Sequence, residues 1–452
     1  MKKVTEKMSE VYKAKWILPA NEEILENKAL VVKEGKILDV IDDDKIKEYF
    51  GEEEYEFYDY GNAILTPGFI NMHTHLQYND IGALKPRNKN ALIKRFILTL
   101  KKLFMVGYIP PERFMNWMMN VFKEYSCWSK KDKINSFKKG LEMSILSGTT
   151  TIAQVSSEQE FFDILNDIPL KTYIFIELFA DSKNSSKREF RRLKKQVNKF
   201  LLRKKENTFL GMAPHSLYNV HKRLWKVIAK FSRKHHALLQ TNLGECQDEL
   251  DWLKNGTSDI NLFHKYIDFQ NMKPDQKGLT PVAYLQEFDA MRDNFIAVHV
   301  NQLYDEELET LAKLGASVVH CPRSNQFHHK KTANIFNLMK YFPGKVAFGT
   351  DSLASNKDLS ILNEAKYVRK AKKGIDDLKF LDMMTINAAR ILRLDDKTGS
   401  IEKGKDADFL VFMLEENETY KNLFDKEFPD YVFSSGEVVA KHNNLLLKLN
   451  DK

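Results

Sequence analysis

The sequence holds little cysteine: three residues in 452, Cys127, Cys246 and Cys321, widely spaced and with no CxxC pair. That excludes a disulfide scaffold and a cysteine-built zinc finger, and it fits a reducing cytoplasm, where we expect the protein. No apolar run approaches the roughly 18 to 20 residues that span a bilayer, so no membrane role is expected. The start, Met1-Lys2-Lys3-Val4-Thr5-Glu6-Lys7, has a basic flank without an apolar core and does not read as a signal peptide. What is present is ordinary globular material, 43% hydrophobic and 29% charged, ample for a large core. The length suggests about three domains, or one α/β barrel taking up most of the chain.

The net charge of +8 is local. Residues 182–207 carry eleven Lys/Arg and two Glu, a net of +9, so the remainder sums to −1. Phe190, Leu193, Val197 and Leu201 recur there at helical spacing, giving an amphipathic helix with a basic outer face. No recognition motif or interleaved aromatic platform accompanies it, so we read a solvated helix face and expect no nucleic-acid partner.

Short strand-like runs occupy Lys13 to Leu18, Ala29 to Val32 and Lys36 to Val40, with Glu34-Gly35 as a turn. The same texture returns at Asp408 to Phe412, Tyr431 to Ser434 and Val438 to Lys441. Between them, eight apolar runs alternate with longer helical patterns: 64–71, 149–155, 173–179, 209–214, 237–243, 295–300, 316–320 and 346–349. Near-continuous apolar strands separated by helices indicate a parallel sheet buried on both faces. Eight units over roughly 330 residues suit a (β/α)8 TIM-like barrel better than an open sheet. The expected organisation is a barrel over 67–395, flanked by a small β domain built from residues 1–66 and 396–452.

Histidines and acids collect at the ends of these runs, where such a barrel carries its functional residues. The first run ends Pro67-Gly68-Phe69-Ile70-Asn71-Met72-His73-Thr74-His75. Two histidines at i and i+2 on a strand share a face, so both imidazoles can reach one metal ion. A pair of surface histidines is the plainer alternative, and the Pro-Gly-led apolar strand weighs against it. The fourth run ends Ala213-Pro214-His215-Ser216, where His215 is either a substrate contact at the mouth or a structurally satisfied histidine. The sixth ends Val298-His299. The seventh ends Val319-His320-Cys321-Pro322-Arg323-Ser324-Asn325, and we read His320 and Cys321 as structural. The eighth ends Phe348-Gly349-Thr350-Asp351-Ser352. An aspartate there is costly to bury unpaired. Beside His73 and His75 it could ligate the metal and accept a proton from bound water, whose pKa zinc lowers to about 7.

These residues resemble the amidohydrolase superfamily, specifically its purine, triazine and nucleoside deaminase branch. The likeness rests on PGFINMHTH, APHSLYNV, the Leu238–Glu245 strand end, VHCPRSN, GTDSLASN, TINAARIL and GSIEKGKDADFLVF, in the family's order. Within the branch the chain looks nearest to aminodeoxyfutalosine deaminases, through the strand-five segment with Asp251-Trp252-Leu253 and through VHVNQ. The resemblance implies one divalent metal, zinc with iron as the alternative. The HxH pair, a strand-five histidine and the strand-eight aspartate would hold it. Carried over by position, the metal ligands are His73, His75 and Asp351, the proton shuttle is Glu245, and the orienting histidine is His299. Asp351 also activates the water, and His215 contacts the substrate. Strands three and four end Phe175-Ile176-Glu177-Leu178 and Pro214-His215, without the lysine that bridges two metals in binuclear relatives.

One position departs from the pattern. Strand five reads Leu239-Gln240-Thr241-Asn242-Leu243-Gly244-Glu245, and the family's third metal histidine falls on Asn242. His235 and His236 precede the strand, at the wrong end. An asparagine offers only a neutral carbonyl oxygen, a poor match for zinc.

The expectation is a cytoplasmic metal-dependent hydrolase that deaminates an aminopurine or nucleoside-like small molecule, aminodeoxyfutalosine being a candidate. The cytidine-deaminase signature, H-x-E with P-C-x-x-C, is absent. The rivals are another amidohydrolase or dechlorinase on the same scaffold, and a catalytically silent binding protein. Asn242 favours the last; Glu245, His299 and Asp351 disfavour it. Specificity residues are expected in the insertions Asn79 to Met105 and Gly256 to Gln276. A homodimer is compatible with this reading.

Overall fold

The computed structural model describes residues 7–20, 22–82, 89–106, 109–269, 272–274 and 277–449. All eight apolar runs contribute neighbouring strands of one sheet. They are Phe69–Thr74, Thr149–Ser156, Lys171–Leu178, Thr208–Pro214, Leu239–Leu243, Phe295–His299, Ser317–His320 and Val346–Phe348, paired in that order. Every pairing is parallel. A parallel bridge between Thr74 and Asp351 joins the first strand to the end of the eighth, so the sheet curls into a (β/α)8 barrel. Six of the eight strands are buried at every residue, as expected of strands covered on both faces.

The first run is two strands instead of one. Ala63–Pro67 pairs antiparallel with Phe409–Met413 in a second sheet, and the chain crosses to the barrel at Gly68. A Cβ on residue 68 would stand 2.1 Å from Thr150 Oγ1, so only glycine lets the crossing pass against the second barrel strand.

The second sheet has nine strands drawn from both ends of the chain. Its N-terminal members include Ser9–Ile17, Leu25–Lys33 and Lys36–Asp42; Phe409–Met413, Tyr431–Ser434 and Glu437–Lys441 are C-terminal. Tyr55–Asp59, exposed over its last four residues and interrupted by Glu56 and Asp59, is a further strand that the apolar pattern did not mark. Phe409 stacks on Phe433 at 4.1 Å, with the Tyr12 ring edge-on to both.

The basic segment forms the helix Lys183–Leu201, opened by Ser182, whose hydroxyl accepts from the Ser185 N–H. Leu193 is buried, and Phe190 and Val197 pack against the core, but Leu201 is 59% exposed. Phe200 takes the inward place expected of Leu201, because seven residues after Leu193 completes two turns more closely than eight. Among the described residues no helix is long and apolar enough to cross a membrane.

The two sheets are tied by a buried charge cluster. Lys171, fully buried where the third barrel strand begins, donates to Asp408 at 2.6 Å and pairs with Asp406 at 2.9 Å. Thr398 and the Ser435 N–H also donate to Asp408. Burial pulls the Lys171 ammonium down, but the two carboxylates outweigh it and hold it above the usual lysine value. Removing one partner from such a cluster leaves uncompensated charge in a dry site. Lys171→Met should therefore cost about 3–5 kcal/mol of stability, read as a lower midpoint in urea unfolding. An unchanged midpoint would show that the cluster does not tie the sheets.

Candidate active site

The seam between the first and eighth barrel strands is built from the candidate ligands themselves. The His73 carbonyl accepts from the N–H groups of Thr350 and Asp351, and the Asp351 carbonyl accepts from the His75 N–H. Strand alternation sends His73 and His75 to one face. Gly349 permits the close approach: a Cβ there would meet His73 Cβ at 2.8 Å. Asp351 itself is left-handed, at φ 59°, as are His299 at 71° and Val300 at 45°. Such conformations are costly for residues with side chains and collect where function needs them.

Ligand atoms of His73, His75 and Asp351 lie within 4.8 Å of one another. His73 is oriented from behind. The Gln240 amide donates to the Met72 carbonyl, which turns its Oε1 to accept from His73 Nδ1–H at 2.8 Å. His73 Nε2 is consequently left with its lone pair, buried and without a hydrogen-bond partner among the described residues. Asp351 Oδ2 accepts from Ser324 at 2.6 Å and Ser355 at 3.0 Å. Burial, reinforced by neighbouring imidazoles, lowers His75 to about 3; burial lowers His73 to about 4 against the pull of Asp351. Asp351 is pushed up by burial, but the surrounding histidines and Ser324 outweigh that and hold it at about 2. At neutral pH the cluster thus offers two neutral nitrogens and an anionic oxygen, the protonation states a divalent cation requires. The donor set fits such an ion and meets the usual minimum of three for a catalytic zinc.

Glu245 and His299 stand next to this cluster. His299 Nδ1–H donates to Asn325 at 2.9 Å, and its Nε2 lies 3.9 Å from Glu245 Oε1. Burial, and then the charge of Asp351, push Glu245 up to about 8. The Asn242 amide is 3.4 Å from Glu245 Oε2, and its backbone N–H donates to the His215 carbonyl. His215 stacks on Phe179 and hydrogen-bonds through Nδ1 with Ser216 and Asn219. His320 and Cys321 are both buried, Cys321 in the apolar cluster with Val319 and His320 against Phe348.

A cavity of about 390 Å³ opens over these groups, lined by His75, His215, Asn242, Glu245 and Asp351 on the chemical side. Its roof departs from expectation. Phe263, Ile267 and Phe269 come from the 256–276 insertion, but no described residue of 79–105 lines the cavity. Residues 83–88 of that insertion lie outside the described residues. The helix Phe114–Ser126 supplies the wall instead, through Trp117, Met118, Val121, Phe122 and Tyr125. Their spacing of one, three and four residues makes a single apolar stripe laid over the mouth.

Sequence reasoning passed over Gln240, Ser324, Ser355 and Asn325. Gln240 was findable, since it shares a strand face with Asn242 two residues on. Ser324 and Asn325 sit in VHCPRSN, but only the fold reveals which neighbours they hold.

Residues 64–439 match the model of the Amidohydrolase family, and the chain belongs to that family. A 5-methylthioadenosine/S-adenosylhomocysteine deaminase of Thermodesulfovibrio yellowstonii is 26% identical over 431 residues, covering 89% of this chain and 85% of that protein. An aminodeoxyfutalosine deaminase of Nitratiruptor sp. is 25% identical over 361 residues, covering 79% and 81%. The crystal structure of an adenosine deaminase from Xanthomonas campestris with bound zinc superposes with a TM-score of 0.72 at 20% identity, covering 98% of this chain and 95% of that one.

The hydrogen bond behind His73 yields a prediction. Gln240→Leu removes the acceptor that fixes the ring, and zinc affinity should fall by about 10–100-fold in a chelator competition titration. Equal affinity in the two proteins would remove Gln240 from the site.

Proposed function

We propose that this chain is a metal-dependent hydrolase that removes the amino group of an adenosine-type nucleoside. The observation that carries the proposal is Glu245, a buried carboxyl raised to about 8 beside the His73–His75–Asp351 cluster at the base of a pocket. Deaminases 25–26% identical over most of the chain support the reaction class. His73, His75 and Asp351 would hold one divalent cation: zinc, as in the Xanthomonas campestris protein, with iron as the alternative. When bound, it supplies Lewis acidity that brings the pKa of water to about 7.

The chain's own groups carry the protons. Glu245, protonated at neutral pH, donates to the ring nitrogen beside the amino-bearing carbon and later passes a proton to the departing amine. Asp351 is the anionic acceptor for the first proton lost by the attacking water. Glu245, ionised once the ring nitrogen is protonated, takes the second from the carbon-bound hydroxyl before passing it to the amine, and the proton on Asp351 then restores Glu245. The balance closes: the water oxygen stays on the ring carbon, one of its protons ends on the ring nitrogen and the other on ammonia. His299, with Nδ1–H committed to Asn325, keeps Nε2 for orienting the water or the substrate. His215, held at Nδ1, keeps Nε2 for a substrate contact. Three free, buried cysteines support placement in the cytoplasm.

Asn242 alone favours a second reading, a barrel that binds a nucleoside without turning it over. The two separate on metal content and turnover together. Glu245→Gln should retain about one metal per chain while cutting kcat for ammonia release by about 10²–10⁴-fold. Wild-type turnover in that variant would remove Glu245 from the chemistry, and a wild-type protein without metal after growth in zinc would favour the silent barrel. Asn242→His should tighten zinc by about tenfold or more, because an imidazole nitrogen suits the ion better than an amide. Equal zinc affinity would mean that residue 242 does not occupy the ligand position.

A further inference from the structure

We propose that Glu177 binds the part of the substrate remote from the purine amino group, in a subsite that selects a neutral or cationic hydrogen-bond donor and rejects a carboxylate. This rests on the nucleoside-deaminase reading and deepens it.

Glu177 stands at the end of the third barrel strand, lines the cavity, and is only 5% exposed. Its carboxyl has no hydrogen-bond partner among the described residues, whereas its neighbours are already paired. Glu158 accepts from Tyr125 at 2.7 Å and Ser156 at 2.8 Å and lies 3.6 Å from Lys133. Glu189 takes the Arg192 guanidinium at 2.5 Å, and Arg192 reaches Glu177 only at its backbone carbonyl. A buried carboxyl left alone in a built pocket is costly unless a ligand completes it. Burial, and then the charge of Glu158, push Glu177 up to about 8, against Arg192. An arriving ammonium therefore draws it into the ionised form and pairs with it, whereas an arriving carboxylate holds it neutral beside the Glu158 charge and gains no ion pair. Glu177 stands on the third barrel strand and Glu245 just past the fifth, two strands apart around the mouth, so the two acids enter one cavity from different sides. With the reacting ring at Glu245, the distal substituent of the nucleoside falls to Glu177. No lysine or arginine lines the cavity among the described residues, so a carboxylate there would meet carboxyls and no counter-ion.

The test uses the zinc-loaded full chain with three probes: 5′-deoxyadenosine, 5′-amino-5′-deoxyadenosine and adenosine 5′-carboxylate. Binding is measured by equilibrium titration and turnover by ammonia release. The amino compound should bind more tightly than the carboxylate by about tenfold or more, the scale of one hydrogen bond to a charged group. Glu177→Gln should bring the two within about threefold, and Glu158→Gln should narrow the ratio in the same direction. Ammonia release with the carboxylate bound as well as the amine, or a ratio untouched by both variants, overturns the subsite and leaves the deaminase reading standing. No binding and no turnover of any of the three overturns the deaminase reading, and the subsite with it.

Discussion

Closure of the barrel between its first and eighth strands is the constraint on which the site depends. The backbone of His73, His75 and Asp351 makes the bonds across that seam, so the side chains that could hold a metal are placed by the same contacts that shut the sheet. Gly349 is part of this arrangement, because any side chain would force the strands apart at His73. A barrel with an open seam would lose its donor set, and strain at Asp351 persists because neighbouring strands over-determine it.

Around that seam the electrostatics follow from burial more than from partners. Burial disfavours every charged form, which keeps the histidines neutral and raises Glu245 and Glu177. Asp351 is the exception, since imidazoles and a serine hydroxyl converge on it. One carboxylate is thereby kept anionic while the nearby Glu245 stays protonated. Two acids in opposite states within one pocket are what proton shuttling across a hydrolytic step requires.

The barrel was legible because period and position coincide: eight apolar runs, each ending in a turn or a polar residue, leave few architectures open. Where the period failed, sterics were responsible. The first run reads as one strand, and nothing apolar marks the change of sheet at Gly68; the crowding against Thr150 that requires it exists only in three dimensions. Tyr55–Asp59 escaped notice because Glu56 and Asp59 interrupt its apolar residues and its pairing is with a distant strand. At the site, HxH, GTD and the strand-end acids show in the sequence because strand ends are marked there. The supports behind them do not, since Gln240 and Ser324 act through contacts between strands far apart in the chain. The roof helix Phe114–Ser126 was missed for a related reason: its amphipathic stripe is ordinary, and only its packing over the mouth distinguishes it.

Asn242 gives the site its individual character. A histidine there would add a neutral nitrogen to the donor set and share the work of holding the ion. With an amide instead, an ion held at His73 and His75 would lean more on the carboxylate of Asp351, whose orientation would matter more. The two serines on Asp351 Oδ2 meet that need, fixing the carboxylate plane without adding charge. The Asn242 amide is meanwhile 3.4 Å from Glu245 Oε2, a contact that favours the ionised carboxylate and so opposes the rise that burial imposes. On the proposed reading, residue 242 would act on Glu245 more than on the ion, so that metal affinity would fall before the acid–base pair is disturbed.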